Sequence, residues 1–397
     1  MHVAMVQFGD YGEAERRFSA GGKETYFAQR STVTFVATLV QRFGEVTVLT
    51  VGADRPDERL PSGVRTMGVE LYPRDGGSRA LHVIRALERV APDHMILVTP
   101  SLALLTWALL RGVRVLPMFF DSFRAPGWKV RARYHALARL LSLRKIEWVA
   151  NHSLAAALDL VRIGIDPAKV LPFDWPSQGV PRSFPAKVAP TNDVFRLIYV
   201  GMLSESKGTG DLLRAVAELR RRDSGRWSLT VVGRQDPEMT KLAADLRLGD
   251  AVHFQGLVPN EEILPMMHDH DAVVVPSRHE YPEGLPATIY EGLCSRSPLV
   301  VSDHPMFRLK IRDGVNGLVF RASDVPSLVD VLQRLRNDPD LYARLSGDAE
   351  EAVRDYFCPL KYEQLISAFL EGPEKARIQL ADFSIGSGRY GVTNPVN

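Results

Sequence analysis

Cysteine is scarce in this chain of 397 residues, which contains two, Cys294 and Cys358. Two cysteines cannot build a disulfide framework, and neither lies at metal-ligand spacing from another ligand residue. An excess of one charge is also missing, because 49 basic residues balance 47 acidic ones and the formal net charge is +2. Proteins that bind nucleic acid through its phosphates usually carry a marked basic excess. The two absences favour a reducing, cytoplasmic location and argue against a dedicated nucleic-acid-binding protein.

Long hydrophobic runs are missing too. Residues 101–110 form one of the longest apolar stretches, whereas a membrane-spanning helix needs about 20 such residues. The first residues also lack the basic segment and the long apolar segment of a signal peptide. We therefore expect a soluble protein that is not exported.

The apolar residues that the chain does have are enough for large cores, since 45% of the chain is hydrophobic and 24% is charged. The length predicts two domains, because one domain usually spans about 100 to 200 residues. Short β-branched runs alternate with segments of helix length, which predicts strands between helices. The predicted strands are residues 3–8, 46–51, 95–99 and 113–119 in the first half, and 196–200, 228–232, 252–254, 272–275, 299–301 and 318–320 in the second.

Strands that are apolar on both faces and alternate with helices form parallel sheets covered by helices on both sides. The sequence therefore predicts an α/β protein with two doubly wound, Rossmann-like sheets that face a cleft. The proline-rich stretch 172–190 marks the division between an N-terminal domain, residues 1–185, and a C-terminal domain, residues 190–358. A helix at about 360–383 is expected to pack back on the first domain, and the polar, glycine-rich end from Ser384 is expected to be mobile.

Two common phosphate-binding motifs are absent from the sequence. A dinucleotide fingerprint needs G-x-G-x-x-G directly after the first strand, whereas Gly9, Gly12, Gly21 and Gly22 are spread over an apparently loose loop. A Walker A loop is absent as well. A dehydrogenase and a P-loop kinase are therefore disfavoured, and the expected site lies at the carboxyl ends of the strands, where open α/β sheets bind ligands.

The stretch 276–293 contains two glutamates in a setting that suits a sugar nucleotide. Glu283 lies in a loop with glycine and proline, and Glu291 follows eight residues later within a predicted helix. The N-terminus of that helix presents free backbone N–H groups and a positive dipole to an anion. Carboxylates accept strong hydrogen bonds from hydroxyl groups. Together these groups suit a hydroxyl-rich, phosphate-bearing ligand such as a nucleoside diphosphate sugar.

Glu283 and Glu291 resemble the E-x7-E motif of retaining glycosyltransferases with the GT-B architecture, specifically the large family 4. Flanking segments that are similar to the C-terminal domain of that family are 199–203, 207–208, 276–277, 291–293, 299–302 and 313–319. The resemblance is specific over about residues 195–356 and holds only in outline before Pro190. It implies a two-domain glycosyltransferase.

The resemblance also implies which residues hold the donor. Glu291 is expected to bind the ribose hydroxyls and Glu283 the hydroxyls of the donor sugar. The residues expected near the diphosphate are Lys207, Gly201, Met202, Gly284, Leu285 and Pro286. Lys207 is expected to compensate the charge that develops on the leaving diphosphate.

One position departs from the family pattern. Where relatives usually carry an arginine, this chain has Met202, so either Arg278 or Arg234 replaces that cation, or donor binding is weaker, or activity is lost. Further expected contacts are Gly233 and Arg234, and Leu257 and Val258, which follow two neighbouring strands. The family uses the second of these loops beside the nucleobase, where backbone groups usually read the base.

The N-terminal half supplies two more candidates. Gly22 lies in a glycine-rich stretch that resembles the family's loop beside donor phosphate and acceptor, although it could also be a plain helix-opening loop. Asp121 follows the 113–119 strand, where many relatives place a histidine near the reacting sugar. A simple turn or helix-cap aspartate is the alternative.

No essential metal is expected, because His135 and His152 have no second ligand at metal-binding spacing. The segment from Lys129 to Lys145 carries six basic residues and no acidic ones, interleaved with aromatic and leucine residues. Such a segment could contact anionic lipid at the inner face of a membrane, or form a solvated helix face with a buried leucine stripe.

The sequence therefore predicts a retaining, metal-independent glycosyltransferase that moves a hexose-type sugar from a UDP-, GDP- or other nucleoside diphosphate sugar to a hydroxyl acceptor. The acceptor could be a glycan, a lipid-linked glycan or a small molecule, and no cofactor is expected besides the donor. One alternative is a nucleotide-sugar-binding protein with impaired catalysis, prompted by Met202 and Asp121. The other is a GT-B nucleotide-sugar epimerase, which the flanking segments disfavour.

Overall fold

The computed structural model describes residues 1–26, 28–53, 55–69, 79–124, 127–175, 183–191, 193–222, 227–284 and 286–391. The chain divides into two compact units. The first comprises Met1–Pro176 and Cys358–Asn397, and the second comprises Ser177–Phe357. Both are α/β units with parallel sheets, which confirms the predicted fold class.

The first unit is built on one sheet, which contains eight strands among the described residues. Their bounds are β1 His2–Gln7, β2 Glu45–Val51, β3 Glu58–Arg59, β4 Arg65–Val69, β5 His94–Leu97, β6 Arg114–Phe119, β7 Val149–His152 and β8 Val170–Phe173. The order is β3-β4-β2-β1-β5-β6-β7-β8, and every pairing is parallel except that of β3 with β4. Pro172, which has no N–H to donate, is tolerated because β8 lies at the edge of this sheet.

Helices cover both faces of this sheet. They are α1 Tyr11–Ser19, α2 Gln29–Phe43, α3 Arg79–Val90, α4 Leu102–Arg111, α5 Trp128–Leu141 and α6 Leu154–Arg162. The expectation of a loose loop from Gly9 to Gly22 is wrong, because α1 lies within it. The Asp10 carboxylate accepts a hydrogen bond from the Glu13 N–H, 3.0 Å away, and so caps this helix. Gly12 is a buried residue of its first turn.

The second unit contains all six strands that the sequence predicts for it, within one or two residues. They are β9 Phe195–Val200, β10 Trp227–Val232, β11 Val252–Gly256, β12 Ala272–Val275, β13 Leu299–Ser302 and β14 Leu318–Phe320, in the parallel order β11-β10-β9-β12-β13-β14. The helices are α7 Thr209–Arg222, α8 Pro237–Asp245, α9 Asn260–Asp269, α10 Ala287–Cys294, α11 Val325–Asn337 and α12 Pro339–Tyr356. The strands β12 and β13 are fully buried runs, which explains why their pattern is easy to read.

The C-terminal segment returns to the first unit through α13 Tyr362–Leu370 and α14 Pro373–Leu380. Leu365 and Phe369 join the core that α2 forms on one face of the first sheet. The expectation that the chain is mobile from Ser384 is wrong for the described residues up to 391. Ile385 is buried in a short 3-10 turn, and Gly386 packs against the backbone of Ala168.

None of the described helices combines the length and the apolar character that are needed to cross a bilayer.

Candidate functional site

The chain reverses direction across the second sheet between β9 and β12. From β9 it proceeds outward to β10 and β11, and it then crosses back to β12 on the other side of β9. Ligands of open α/β sheets bind at such a reversal, beyond the carboxyl ends of the strands. The loops 201–208 and 276–286, which follow β9 and β12, therefore flank the expected position of a ligand. The loops after β10 and β11 continue the same edge.

These loops pack backbone against backbone, and this packing requires glycine. A Cβ atom on Gly208, whose φ is +76°, would lie 1.9 Å from the carbonyl oxygen of Pro276. A Cβ atom on Gly233 would lie 2.0 Å from the carbonyl oxygen of Gly201. No side chain fits at either position. The two predicted residues Gly201 and Gly233 therefore set the approach of neighbouring loops.

The structure brings Lys207 and Glu283 together across the β9–β12 reversal. The Lys207 ammonium donates a hydrogen bond to Glu283 Oε1, and Ser277 Oγ donates to the same oxygen at 2.6 Å. The ammonium also lies 4.7 Å from the ring centroid of Tyr281. Both charged side chains are largely buried. A cation and a carboxylate are thus held next to each other at the edge of the sheet where a ligand is expected.

Glu291 lies one turn inside α10, as the sequence predicts, and only 8% of it is exposed. Asn260 Nδ2, from the first turn of α9, donates a hydrogen bond to Glu291 Oε1 at 2.9 Å. Burial raises the pKa of the Glu291 carboxyl to about 7, and the bond from Asn260 opposes that rise. The other carboxylate oxygen can accept a bond from a ligand hydroxyl.

The N-terminus of α10 is fixed close to the end of β9. Thr288 Oγ1 donates to the Val200 carbonyl at 3.2 Å, and Tyr356 Oη donates to the Pro286 carbonyl at 3.1 Å. Among the described residues no side chain caps the first-turn N–H groups of this helix. These N–H groups can therefore bind an anion. Gly284 and Pro286 lie just before the helix, and Leu285 lies outside the described residues.

The structure distinguishes between Arg278 and Arg234, the two residues suggested to replace the arginine that relatives usually carry at position 202. Met202 is 53% exposed, and its carbonyl accepts a 2.6 Å hydrogen bond from Tyr199. Arg278 forms two 2.7 Å bonds to the Asp211 carboxylate, which raises the pKa of the guanidinium. Arg278 is therefore committed to α7. Arg234 is exposed and has no ion pair with any described residue, so of the two suggested arginines it is the one available.

The loops after β10 and β11 form the rest of the carboxyl edge on this side of the second sheet. The Gly201 N–H donates to the Val232 carbonyl and the Gly233 N–H to the Gly256 carbonyl, each at 2.9 Å, and these bonds join the ends of β9, β10 and β11. The register of β10 with β11 shifts by one residue just before this end. Leu257 is exposed and Val258 is partly buried just beyond β11. These residues thus lie on the same edge as Lys207.

Sequence reasoning missed several residues that surround the two glutamates. Asn260 donates to Glu291, and Ser277 donates to Glu283. The Tyr281 carbonyl accepts from the Glu283 N–H, and His304 contacts that carbonyl. His304 is buried, its Nδ1 accepts from the Met306 N–H at 3.2 Å and its Nε2 lies 3.2 Å from the Tyr281 carbonyl, while burial lowers the pKa of the ring. Asn260 lies at the start of a predicted helical segment, shortly after a strand ends. This position is the feature of the sequence that could have identified it as a site residue.

The first unit places its predicted residues apart from one another. Gly22 follows α1, and a Cβ atom on it would lie 2.8 Å from the Arg17 carbonyl oxygen, so packing alone accounts for this glycine. Asp121 follows β6 with an exposed side chain, and its carbonyl accepts a 3.0 Å bond from Asn151. No described residue donates to the Asp121 carboxylate. Gly22 and Asp121 are therefore not joined by any described contact.

A polar pair that the sequence did not predict lies at the same edge of the first sheet. Nε2 of His152, at the end of β7, is 3.0 Å from Oδ1 of Asp174, which follows β8. The other carboxylate oxygen of Asp174 accepts from the Cys358 N–H and so ties the returning C-terminal segment to the sheet. The rings of Phe120 and Trp175 stack nearby with centroids 5.2 Å apart. This pair has a clear structural role in joining the two parts of the first unit.

The described residues contain no group of three or more histidine, cysteine, aspartate or glutamate side chains that could hold a metal ion.

The part of the chain that contains the candidate site is similar to known proteins. Residues 182–352 match the family described as glycosyl transferases group 1, and this match includes Lys207, Glu283 and Glu291. The D-inositol 3-phosphate glycosyltransferase of Frankia alni is 34% identical over 202 residues, which are 48% of this chain and 47% of that protein. The chain thus spans about half the length of the curated relatives it matches.

Solved structures extend the likeness to most of the chain. A sucrose-phosphate synthase from Thermosynechococcus elongatus has a TM-score of 0.65 at 17% identity, covering 90% of this chain and 95% of that one. The Anabaena protein HepE in complex with UDP-glucose has a TM-score of 0.64 at 16% identity, covering 90% and 95%. At such identities the likeness shows the fold. The chain therefore has the two-sheet fold of these proteins, and the part that holds the candidate site matches a glycosyltransferase family.

Proposed function

We propose that this protein is a retaining glycosyltransferase of the family 4 type, which moves a hexose-type sugar from a nucleoside diphosphate sugar to a hydroxyl acceptor. One observation carries the proposal. Lys207 and Glu283, from the loops after β9 and β12, are hydrogen-bonded at the chain reversal, where open α/β sheets bind ligands. The buried carboxyl of Glu291 lies in the helix that follows.

The donor fits this edge group by group. The free carboxylate oxygen of Glu291 accepts from a ribose hydroxyl, while the first turn of α10 and the Lys207 ammonium bind the diphosphate. Glu283 accepts from the hydroxyls of the transferred sugar. Each charge-assisted hydrogen bond contributes about 1.5 to 3 kcal/mol. Leu257, Val258 and Gly233 border the base, and Arg234 is the spare cation beside the phosphates.

An ammonium group has three donors, which matters for the pair of Lys207 and Glu283. Lys207 can keep its bond to Glu283 and still donate to a phosphate oxygen. The pair thus holds the cation in place before the donor arrives, so little reorganisation is needed when charge develops. Ser277 keeps the Glu283 carboxylate oriented at the same time.

The chemistry needs few protein groups. The bond between the anomeric carbon and the diphosphate oxygen breaks, and its electron pair leaves with the diphosphate. The acceptor oxygen forms the new bond on the same face of the sugar, and its proton passes to a phosphate oxygen of the leaving group. The protein positions the reactants and stabilises the diphosphate through Lys207 and α10. No metal takes part in this scheme.

A second candidate is a protein that binds a nucleotide sugar without transferring it. Met202 in place of the usual arginine favours this candidate, because one cation stabilises the leaving group less than two do. The exposed carboxylate of Asp121, where relatives place a histidine, points the same way.

A two-stage experiment separates the candidates. The change in melting temperature with UDP, GDP, ADP and TDP identifies the base, since a ligand at 100 times its dissociation constant stabilises the fold by about 2.7 kcal/mol. The matching nucleotide sugars are then incubated with hydroxyl acceptors, with and without EDTA, and the anomeric configuration of the product is read by NMR. Retained configuration and turnover in EDTA support the proposal. Binding without transfer or hydrolysis supports the second candidate, and a C2 epimer of the donor formed without acceptor indicates an epimerase.

A further inference from the structure

Helix α5 and the turn after it, residues 127–145, form the most one-sided charge distribution in the described chain. Leu137, Ala138 and Leu141 are buried in the core of the first unit, so one face of the helix is fixed inward. The outward residues include six cations and no acidic residue. These cations are Lys129, Arg131, Arg133, Arg139, Arg144 and Lys145, and all are exposed. We call residues 127–145 the basic face.

The cations of the basic face have no acidic partner. No carboxylate of the described chain lies within ion-pair distance of any of the six. Arg139 Nε contacts His135 Nε2 at 3.1 Å, and Arg133 reaches the Pro100 carbonyl at 3.5 Å. Elsewhere arginines are commonly paired, as Arg65 is with Asp57 at 2.7 Å. A chain of net charge +2 thus concentrates six unpaired positive charges on one helix and its following turn.

Exposed apolar residues lie among these charges. Trp128 begins the helix and is 76% exposed, and Leu143 in the following turn is 47% exposed. Ala132 and Ala136 are exposed between Trp128 and Leu143. Because their side chains are short, a surface that contacts this part of the helix can approach its backbone closely. Lys129 lies with its ammonium 5.6 Å from the Trp128 ring centroid. Tryptophan flanked by basic residues is typical of segments that lie in the headgroup region of a bilayer.

We propose that the basic face docks on the surface of a bilayer that contains anionic lipid. The lysines and arginines bind the anionic headgroups, and Trp128 inserts its ring at the boundary with the acyl chains. Double-stranded nucleic acid fits less well, because its phosphate backbone presents no apolar group to Trp128 and Leu143. The proposal rests on the first unit alone and does not depend on the proposed transfer reaction.

Vesicle co-sedimentation of the full chain tests this proposal. Vesicles of phosphatidylcholine mixed with phosphatidylglycerol are compared with vesicles of phosphatidylcholine alone, at low and at high salt. We expect binding to the anionic vesicles only, weakened by salt because surface charges are screened. In the patch variant Lys129, Arg131, Arg133 and Arg139 are all changed to Gln. Each lost cation should weaken partitioning about fivefold, so the patch variant should lose several hundred-fold.

A matched control keeps the same change in net charge. Lys241, Arg247, Arg344 and Lys375 are exposed, have no ion pair with any described residue and lie outside the basic face. Changing these four to Gln should lower vesicle binding little. Equal losses in the patch variant and in this control would overturn the proposal, because they would indicate attraction by overall charge.

The emission of Trp128 gives a second readout. The other tryptophans, Trp107, Trp148, Trp175 and Trp227, are buried or partly buried. A blue shift on anionic vesicles that disappears in Trp128→Phe supports insertion of this ring. Failure to bind anionic vesicles, or tighter binding to single-stranded RNA than to vesicles at the same salt concentration, contradicts the proposal and identifies a solvated or nucleic-acid-binding helix instead.

Discussion

The carboxyl edges of the two sheets are made from the same kind of buried parallel strand, yet they hold different groups. In the second unit Lys207 and Glu283 meet across the chain reversal, and Asn260 holds Glu291 nearby. In the first unit the predicted Gly22 and Asp121 share no described contact. The polar pair found there, His152 with Asp174, anchors the C-terminal segment.

The two edges show that the order of the strands determines where a site can form but not which chemical groups the site contains. In the second unit the buried ionisable groups are held by hydrogen bonds, Lys207 with Glu283 between two loops and Glu291 with Asn260 between α10 and α9. Buried ionisable groups at a ligand-binding edge, with the pKa of Glu291 raised, are typical of functional sites. In the first unit the buried polar pair has a structural reason. This difference supports the proposal that the donor binds at the second edge, and the following changes test that proposal.

Loss of Lys207 should have the largest effect. Lys207→Ala removes the side-chain cation that stabilises the departing diphosphate and leaves the buried Glu283 without its charge partner. Removing one such donor typically lowers kcat about 10²- to 10³-fold. Donor affinity should fall less than turnover, because the charge grows in the transition state. Steady-state kinetics measures both quantities.

Lys241→Ala is the matched control for this change, because Lys241 is an exposed lysine of the same unit on α8. It should leave kcat unchanged. If Lys207→Ala keeps most of the wild-type turnover, the diphosphate does not bind beside loop 201–208.

Glu291→Gln should weaken binding of the free nucleoside diphosphate, because the ribose is held before the reaction begins. Losing one charge-assisted hydrogen bond costs about 1.5 to 3 kcal/mol, which is roughly 10- to 150-fold in affinity. Titration calorimetry with the nucleotide chosen by thermal shift measures the change. An unaltered dissociation constant would refute the ribose assignment.

The same substitution should stabilise the ligand-free protein above neutral pH. The folded chain keeps the Glu291 proton to about pH 7, whereas an ordinary glutamate loses it near 4.5. The folded state therefore binds more protons between these values, and the free energy of unfolding falls as the pH rises through that window. Removing the buried charge should raise stability by about 3 kcal/mol at alkaline pH and have little effect at acidic pH. Denaturant unfolding of both variants at the two pH values checks this, and equal stability at alkaline pH would contradict it.

Donor binding should depend on pH through the same carboxyl. If the ionised form of Glu291 binds the ribose, affinity for a nucleotide sugar should increase about tenfold from about pH 6 to about pH 8, since a group with a pKa of about 7 is mostly protonated at the lower value. A nucleotide sugar is the right probe, because its diphosphate does not titrate in this range. Glu291→Gln should remove the dependence. If the pH dependence of affinity persists in Glu291→Gln, another group is responsible for it.

The smallest effect is expected in the first unit. Asp121→Asn should leave affinity for the free nucleoside diphosphate within about twofold of the wild type, because the groups proposed to hold the nucleotide belong to the second unit. Titration calorimetry under the conditions used for Glu291→Gln allows direct comparison. A loss as large as that of Glu291→Gln would move part of the nucleotide site to the first unit.

The sequence was a good guide wherever one residue type dominates a segment. All six strands of the second sheet were predicted, and β12 and β14 are continuous apolar runs. Four strands of the first sheet were missed. Arg65, Asn151 and Pro172 interrupt the patterns of β4, β7 and β8, and β3 comprises only two charged residues, Glu58 and Arg59. Helix α1 was missed because the glycines near it suggested a loop, although Asp10 is a good helix cap.

The contacts within the site could not be derived from the sequence in the same way. Lys207 and Glu283 are separated by 76 residues, and Glu291 and Asn260 by 31. Lys207 and Glu283 meet because the sheet order places β9 beside β12, and Asn260 and Glu291 meet because α9 packs against α10. The pKa of Glu291 depends on burial, which no spacing of residues encodes.

A crystal structure with the nucleotide sugar that gives the largest thermal shift tests the central claim most directly. The account predicts a ribose hydroxyl within hydrogen-bonding distance of the Glu291 carboxylate. It also predicts the diphosphate between Lys207 and the first turn of α10, and the sugar against Glu283. A nucleotide bound at another edge, or a ribose out of reach of Glu291, would contradict the account.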